Sequence, residues 1–154
     1  MGSHEEAQGT QREGVDNGYV PGEVISPRCH LSDMQVNAIC DVVRETGFAV
    51  HRYFGTGFRE KVYERALTHR LVKAGLDVQV QPRVIVHDED GTELTEEVMD
   101  LIVERVLIVE LKACRQTTDT DVAQILGYLK ATAFRHGLLI NFGGPKFFIK
   151  KYVL

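Results

Sequence analysis

Three charged residues stand where a buried strand should least tolerate them. Asp100, Glu110 and Lys112 interrupt the runs Val98-Met99-Asp100-Leu101-Ile102-Val103 and Val106-Leu107-Ile108-Val109-Glu110-Leu111-Lys112, which are otherwise almost wholly aliphatic. Short, continuous apolar runs of this kind read as strands covered on both faces, and an unpaired charge inside one is expensive. Side chains alternate along a strand, so Glu110 and Lys112 share one face while Val109 and Leu111 share the other. A tight hairpin brings Asp100 alongside. Two carboxylates with a main-chain carbonyl, that of Leu111, make a hard oxygen site of the kind that takes Mg²⁺ or Mn²⁺. Such an ion activates water and polarises a phosphate oxygen, and a neighbouring ammonium, here Lys112, orients that water or stabilises the negative transition state. Phosphodiester hydrolysis is the reaction this set suits. The competing reading is an ion-pair cluster without catalytic meaning, since an Asp followed by Glu-x-Lys also arises by chance.

The elements that must position these groups follow from periodicity and punctuation. Ser32 precedes Asp33 and a run in which Met34, Ile39, Val42, Val43 and Ala49 recur at helical spacing, predicting an amphipathic helix. Gly55-Thr56-Gly57 interrupts it. Phe58, Val62, Ala66 and Leu67 restart the pattern up to Gly75, which places Glu60 in the first turn of a second helix. Val78, Val80, Val84 and Val86 alternate as a strand, and Asp88-Glu89-Asp90-Gly91 is a turn signal. The two aliphatic runs form the centre of the sheet. Asp119 or Asp121 caps a third helix carrying Val122, Ile125, Leu126, Leu129 and Ala133 and closing at Gly137, with Gln124 and Tyr128 on one face. Leu138 to Phe142 is a buried strand. Gly143-Gly144-Pro145 then leads into an edge strand from Lys146 to Leu154 with lysines facing water. The expected architecture is α/β, with the order ααβββαββ.

Composition bounds the setting. With 154 residues, 44% of them hydrophobic, the chain can bury one ordinary core, and we expect a single domain over residues 31–154. Residues 1–30, rich in Gly, Glu and Gln, read as a disordered or loosely attached tail whose Met1-Gly2-Ser3-His4 start resembles an expression remnant. The formal net charge of -4 lacks the signature of a protein that coats nucleic acid. Charge is segregated, however: acids crowd between Asp88 and Asp100, and Arg105, Lys112, Arg115, Lys130, Arg135, Lys146, Lys150 and Lys151 make the C-terminal part basic. A polyanion can therefore be met locally. Lys146, Lys150 and Lys151 either follow phosphates or solubilise the edge strand. Cys29, Cys40 and Cys114 are odd in number and widely separated, which gives neither a disulfide framework nor a zinc or iron–sulfur ligand set and favours a reducing, cytoplasmic setting. No apolar run approaches the roughly 20 residues that span a bilayer. Gly55-Thr56-Gly57 lacks the Gly-Lys-Ser/Thr of a phosphate-binding loop.

A family resemblance sharpens these expectations. Gly57-Phe58-Arg59-Glu60-Lys61-Val62-Tyr63 matches the G-x-x-E-x-x-Y signature that names the GxxExxY protein family. Asp100-Leu101, Ile108-Val109-Glu110-Leu111-Lys112-Ala113, Gln124, Tyr128-Leu129-Lys130-Ala131-Thr132 and Gly137 to Gly143 also resemble that family, as does His51 before the glycine turn. The resemblance covers about residues 33 to 154. It implies membership of the PD-(D/E)xK nuclease superfamily and a restriction-endonuclease-like core, a mixed sheet flanked by helices. By position, Asp100 is the first strand carboxylate, Glu110 and Lys112 the E-x-K pair, and Glu60 the helical acid of some branches, holding a metal-bound water or a second cation. Met99 stands where the superfamily name has proline, a residue that supplies geometry and no ligand. The Gln124 and Tyr128 face would border the site, Gln124 orienting substrate. His51 either bonds a site carboxylate or is structural. The resemblance supplies no known substrate; site and resemblance together lead us to expect Mg²⁺- or Mn²⁺-dependent hydrolysis of DNA, RNA being the lesser substrate, and because a small nuclease commonly reaches both strands by pairing we expect a homodimer. The alternative is a catalytically silent nucleic-acid-binding or partner-docking module of the same fold, in a defence or repair system.

Overall fold

The computed structural model describes residues 26–28 and 31–154, so the expectation for the tail falls largely outside the described residues. Helix α1, Asp33–Phe54, starts at Ser32, whose hydroxyl accepts from the Gln35 amide while the Gln35 side chain accepts from the Ser32 amide. This reciprocal cap satisfies two of the helix's orphan donors. The expected period holds but its phase shifts: Val36, Cys40, Val43, Gly47 and Val50 are buried, while Met34 and Val42 face outward. Gly55, at φ 64, ends the helix, and α2, Glu60–Lys73, follows.

Five strands precede the third helix, where three were expected. They are β1 (Val78–Val80), β2 (Arg83–His87), β3 (Glu93–Val98), β4 (Leu101–Val103) and β5 (Leu107–Lys112). The valine alternation from Val78 to Val86 does not make one strand. Gln81 takes φ 52 and Pro82 has no amide to give a ladder, so the chain kinks between β1 and β2. The opposing run kinks with it at Met99-Asp100. Gln81 N–H still donates to the Asp100 carbonyl at 2.8 Å and Met99 N–H to the Pro82 carbonyl at 3.0 Å, which keeps the corner closed. The result is a separate β2-β3 ribbon and a main sheet in the order β1-β4-β5-β6-β7.

Helix α3, Asp119–Ala131, crosses from β5 to β6 (His136–Asn141), and β7 (Phe148–Val153) lies at the edge. Its cap is Thr118 and not either aspartate; Asp121 is the reciprocal partner three positions on. It closes at Thr132 before reaching Gly137, because Gly137 belongs to β6. The β5-β6 pairing is parallel and every other pairing antiparallel, so the sheet is mixed and flanked by helices, as expected of a restriction-endonuclease-like fold. One core, with Val43, Leu67, Leu101, Val109 and Ile140, packs α1 and α2 on one face; a second, with Ile102, Ile108, Tyr128 and Phe134, packs α3 on the other.

Two further contacts fix the loops around the C-terminal end of β5. Tyr63 is fully buried, stacks on Phe142 at 4.8 Å, and donates its hydroxyl to the Gly55 carbonyl at 2.7 Å. Asn141 accepts from the Cys114 amide and donates to the Cys114 carbonyl at 2.8 Å. Gly143 lies so close to this clamp that an added Cβ would stand 2.4 Å from both the Cys114 nitrogen and oxygen. Gly143→Ala is therefore expected to destabilise the domain by about 1–3 kcal/mol or more, read as a lower urea midpoint with an unchanged m-value.

Candidate active site

The charged residues meet at the C-terminal end of β5, beside the β3-β4 corner. Because the chain kinks at Met99-Asp100, β4 is too short to pair with Leu111, and the Asp100 carboxylate takes the place of a strand: its Oδ2 accepts from Leu111 N–H at 2.7 Å. Phe142 N–H donates to the Lys112 carbonyl, so the Lys112 backbone faces β6 and the intervening Leu111 amide and carbonyl face the Asp100 side. Glu110 and Lys112 project from the other face of β5. Lys112 Nζ lies 3.3 Å from Glu110 Oε1 and 3.6 Å from Asp121 Oδ1, and donates to Gln124 Oε1 at 2.7 Å.

Gln124 in turn donates to the Tyr128 hydroxyl at 2.9 Å, and that hydroxyl donates to the Val98 carbonyl at 3.1 Å. The relay runs from the β3 end, through one face of α3, to the ammonium. It gives Gln124 a concrete task, since its carbonyl oxygen aims Lys112 and its amide is anchored by Tyr128. Burial raises the Tyr128 pKa, with the Glu110 charge adding to it, so the hydroxyl stays a donor.

Glu110 is 4% exposed, and its Oε2 is buried without any hydrogen-bond partner. Burial, reinforced by the Asp100 charge and opposed by Lys112, pushes its pKa up to about 8. Asp100 is raised for the same first reason, against the pull of the Leu111 amide. Two crowded carboxylates without a cation between them hold a proton jointly. Lys112 remains charged: burial works against its ammonium, but the Glu110, Asp121 and Glu60 carboxylates together outweigh it and raise its pKa. Burial also opposes the charge of Asp121, yet hydrogen bonds from Thr118 and the nearby Lys112 hold its pKa low.

Glu60 lies across the cleft in the first turn of α2. Partial burial of its carboxyl, then the Asp100 charge, raises its pKa. Among the described residues no three His, Cys, Asp or Glu side chains gather closely enough to hold a metal ion, so Glu60 does not join Asp100 and Glu110 in a three-carboxylate cluster. With Arg59, Lys112, Cys114, Thr118 and Asp121 it lines an open cleft. A more apolar pocket lined by Val84, Met99, Ile102 and Phe134 contains none of these groups, and we assign the chemistry by convergent charge, not by concavity.

His51 bonds the Gly144 carbonyl at 2.9 Å and no site carboxylate, so its role is to pin α1 to the β6-β7 turn. Cys40 and Cys114 are free thiols, and among the described residues no helix is long and apolar enough to cross a membrane.

Two contributors escaped the reading of the sequence. Glu64 is 4% exposed, pairs with Lys61 at 2.6 Å, and its charge acts on both Glu60 and Asp100. Its spacing four residues after Glu60 was the available signal. Asp121 was weighed only as a helix cap, although it lies three residues before Gln124 and therefore on the same face.

The family model for the PD-(D/E)XK nuclease superfamily matches residues 37–152. The chain belongs to this superfamily. The match spans the whole site, from α1 through β7, and agrees with a mixed sheet that sets an acid and an E-x-K pair at one strand end. No curated protein matches the chain. The solved structure of SSO0001 is similar over 60% of this chain, with 14% identity and a TM-score of 0.47. This chain spans about half the length of that protein, the alignment covering 48% of it.

Proposed function

We propose that this PD-(D/E)XK protein is a Mg²⁺- or Mn²⁺-dependent nuclease of the GxxExxY group, with its working domain at residues 31–154, hydrolysing phosphodiester bonds of DNA. The observation that carries the reading is the orphaned Oε2 of Glu110, a buried carboxylate oxygen beside a second raised carboxylate and a charged lysine. An inert ion-pair cluster would match each carboxylate with a cation, whereas among the described residues Asp100 has only the Leu111 amide and Glu110 Oε2 has no donor other than a proton shared with Asp100. The donor set fits a hard divalent cation: Asp100 and Glu110 carboxylates, with the Leu111 carbonyl on the Asp100 side.

When bound, the cation supplies Lewis-acid polarisation of the phosphate and a lowered pKa for the attacking water. The rest falls to the protein. Lys112, aimed by Gln124 and kept charged by Glu110 and Asp121, meets the negative charge that grows on the phosphoryl oxygens. Preorganised donors of this kind act most strongly where water is excluded, and the Lys112 side chain is 18% exposed. Glu60, whose raised pKa suits proton transfer nearer neutrality than an ordinary carboxylate, orients water from the opposite wall. A homodimer working in the cytoplasm completes the reading.

Titration calorimetry tests it directly. Wild type is expected to take up Mn²⁺ at Asp100 and Glu110, Glu110→Ala to lose that uptake, and Lys112→Ala to keep it. Absence of heat in wild type at millimolar Mn²⁺, with no cleavage of DNA above the mutant background, would sink the proposal.

A further inference from the structure

The Asp121 carboxylate is used twice. Its Oδ2 accepts from the Thr118 amide at 2.7 Å and from the Thr118 hydroxyl at 3.0 Å, which closes the reciprocal cap of α3. The cap needs only that one oxygen of the side chain, and Asp119 already places a negative charge in the same first turn. The other oxygen, Oδ1, is turned to Lys112 Nζ at 3.6 Å, with the two side chains 17% and 18% exposed. Among the described residues, every ion pair that does not involve Lys112 has a partner at least 46% exposed. A pair withdrawn from water on both sides is screened less and holds its geometry better than a surface pair.

The three oxygens around the ammonium are not equivalent. Glu110 Oε1 lies 3.3 Å away and Gln124 Oε1 2.7 Å away, Asp121 Oδ1 being the third, and an ammonium has three donors to give. Glu110 belongs to the proposed cation seat, so in a loaded site its charge serves the ion, and a divalent ion there repels Lys112 at close range. Gln124 is neutral. Asp121 carries a full charge and lies outside the seat.

We infer that Asp121 is a positioning residue for Lys112: clamped by Thr118 through one oxygen, it uses the other to hold the ammonium in the cleft when Glu110 is engaged by a cation. This deepens the nuclease reading and rests on it for the purpose of the lysine. The contact itself exists in the metal-free protein, so the two ideas fail separately.

Two variants separate charge from cap. Asp121→Asn keeps an acceptor for the Thr118 amide and removes the charge, whereas Asp121→Glu keeps the charge in a Thr-x-x-Glu capping pattern. Circular dichroism checks that each is folded, and Asp121→Gln, the neutral counterpart of that pattern, replaces Asp121→Asn if the latter unfolds. In EDTA, mass spectrometry reads the rate at which an amine-acylating reagent modifies Lys112. The rate is expected to rise severalfold in Asp121→Asn, whose released lysine reaches water, and to stay near that of wild type in Asp121→Glu. With Mn²⁺ and DNA, Asp121→Asn should lower kcat about tenfold with KM unmoved, and should cost nothing further in a Lys112→Ala background, where there is no ammonium to hold. Wild-type labelling of folded Asp121→Asn, an unchanged kcat, or a loss that persists without Lys112 overturns the inference. Labelling that depends on the Asp121 charge, in a protein without any Mn²⁺-supported cleavage, upholds the hold on Lys112 and removes the nuclease reading instead.

Discussion

Lys112→Ala is expected to lower Mn²⁺-supported cleavage by about 100- to 1,000-fold while leaving the fold intact. The magnitude follows from what the ammonium does. Among the described residues it is the one cation within reach of both Glu110 and Asp121, at 3.3 and 3.6 Å, and removing a preorganised charge-stabilising donor from an active site costs about 2.7–4 kcal/mol of transition-state energy. Because Lys112 is aimed indirectly, a graded series discriminates this role from simple structural support. Gln124→Ala frees the ammonium but keeps its charge, so it should lose about 10- to 100-fold, the usual cost of removing an orienting partner. Lys112→Arg should not restore full activity, since a planar fork cannot occupy the single-point contact to Gln124 Oε1. Initial rates with wild type and the three variants measure the order. Lys112→Ala as active as wild type, or Gln124→Ala more damaging than Lys112→Ala, would overturn the assignment. A loss confined to kcat, with KM unmoved, is the pattern of an interaction made only in the transition state.

How far this site could be read from sequence depends on which physics each part obeys. Glu110 and Lys112 were legible because strand alternation is strictly two-fold and their neighbours are aliphatic, which leaves few places for two charges to point. Tyr63 and Glu60 were legible only together, as turn, acid and anchor; the stack of Tyr63 on Phe142 joins residues 79 positions apart, by subtraction of their numbers, and no local pattern contains it. The corner at Gln81-Pro82 was missed for a definite reason. Alternation of valines signals a strand but does not say which partner each half pairs with, and a proline that removes one ladder amide can move the second half into another sheet. That corner shapes the candidate site, because it shortens β4 and frees the Leu111 amide for Asp100. The phase error in α1 has a similar origin: Met34 and Val42 are apolar enough to count toward a buried stripe, and only the position of the β-sheet decides that Val36, Cys40 and Gly47 face it instead. Helix existence is local, whereas the buried face is tertiary.

The Glu110 carboxyl also makes stability depend on pH in a direction opposite to that of most acids. Its folded pKa is raised to about 8 from an ordinary value of 4.5. Between those limits the folded protein, free of divalent ions, holds a proton that the unfolded chain has released. The folded state binds more protons, so stability falls as pH rises through the window, and above it the full penalty of two close carboxylates is present. A cation inverts this, because it must displace the shared proton; its affinity should climb with pH up to about 8 and then level off. Glu110→Gln keeps the volume of the side chain and removes the charge. In EDTA at about pH 9 it is expected to unfold several degrees above wild type, each tenfold change in proton affinity being worth about 1.4 kcal/mol and roughly 2–8 °C for a domain of this size, whereas at about pH 5 the two should nearly coincide. Adding Mg²⁺ at pH 9 should reverse the order, since wild type gains by mass action and Glu110→Gln does not. Differential scanning fluorimetry across the four conditions reads both effects. Parallel melting curves for wild type and variant at both pH values, with no response to Mg²⁺ in either, would mean that the carboxylate pair is not the cation's seat. Reversal by Mg²⁺ without a pH difference would instead place the cation there and assign the shared proton to Asp100, whose carboxyl is raised by the same burial.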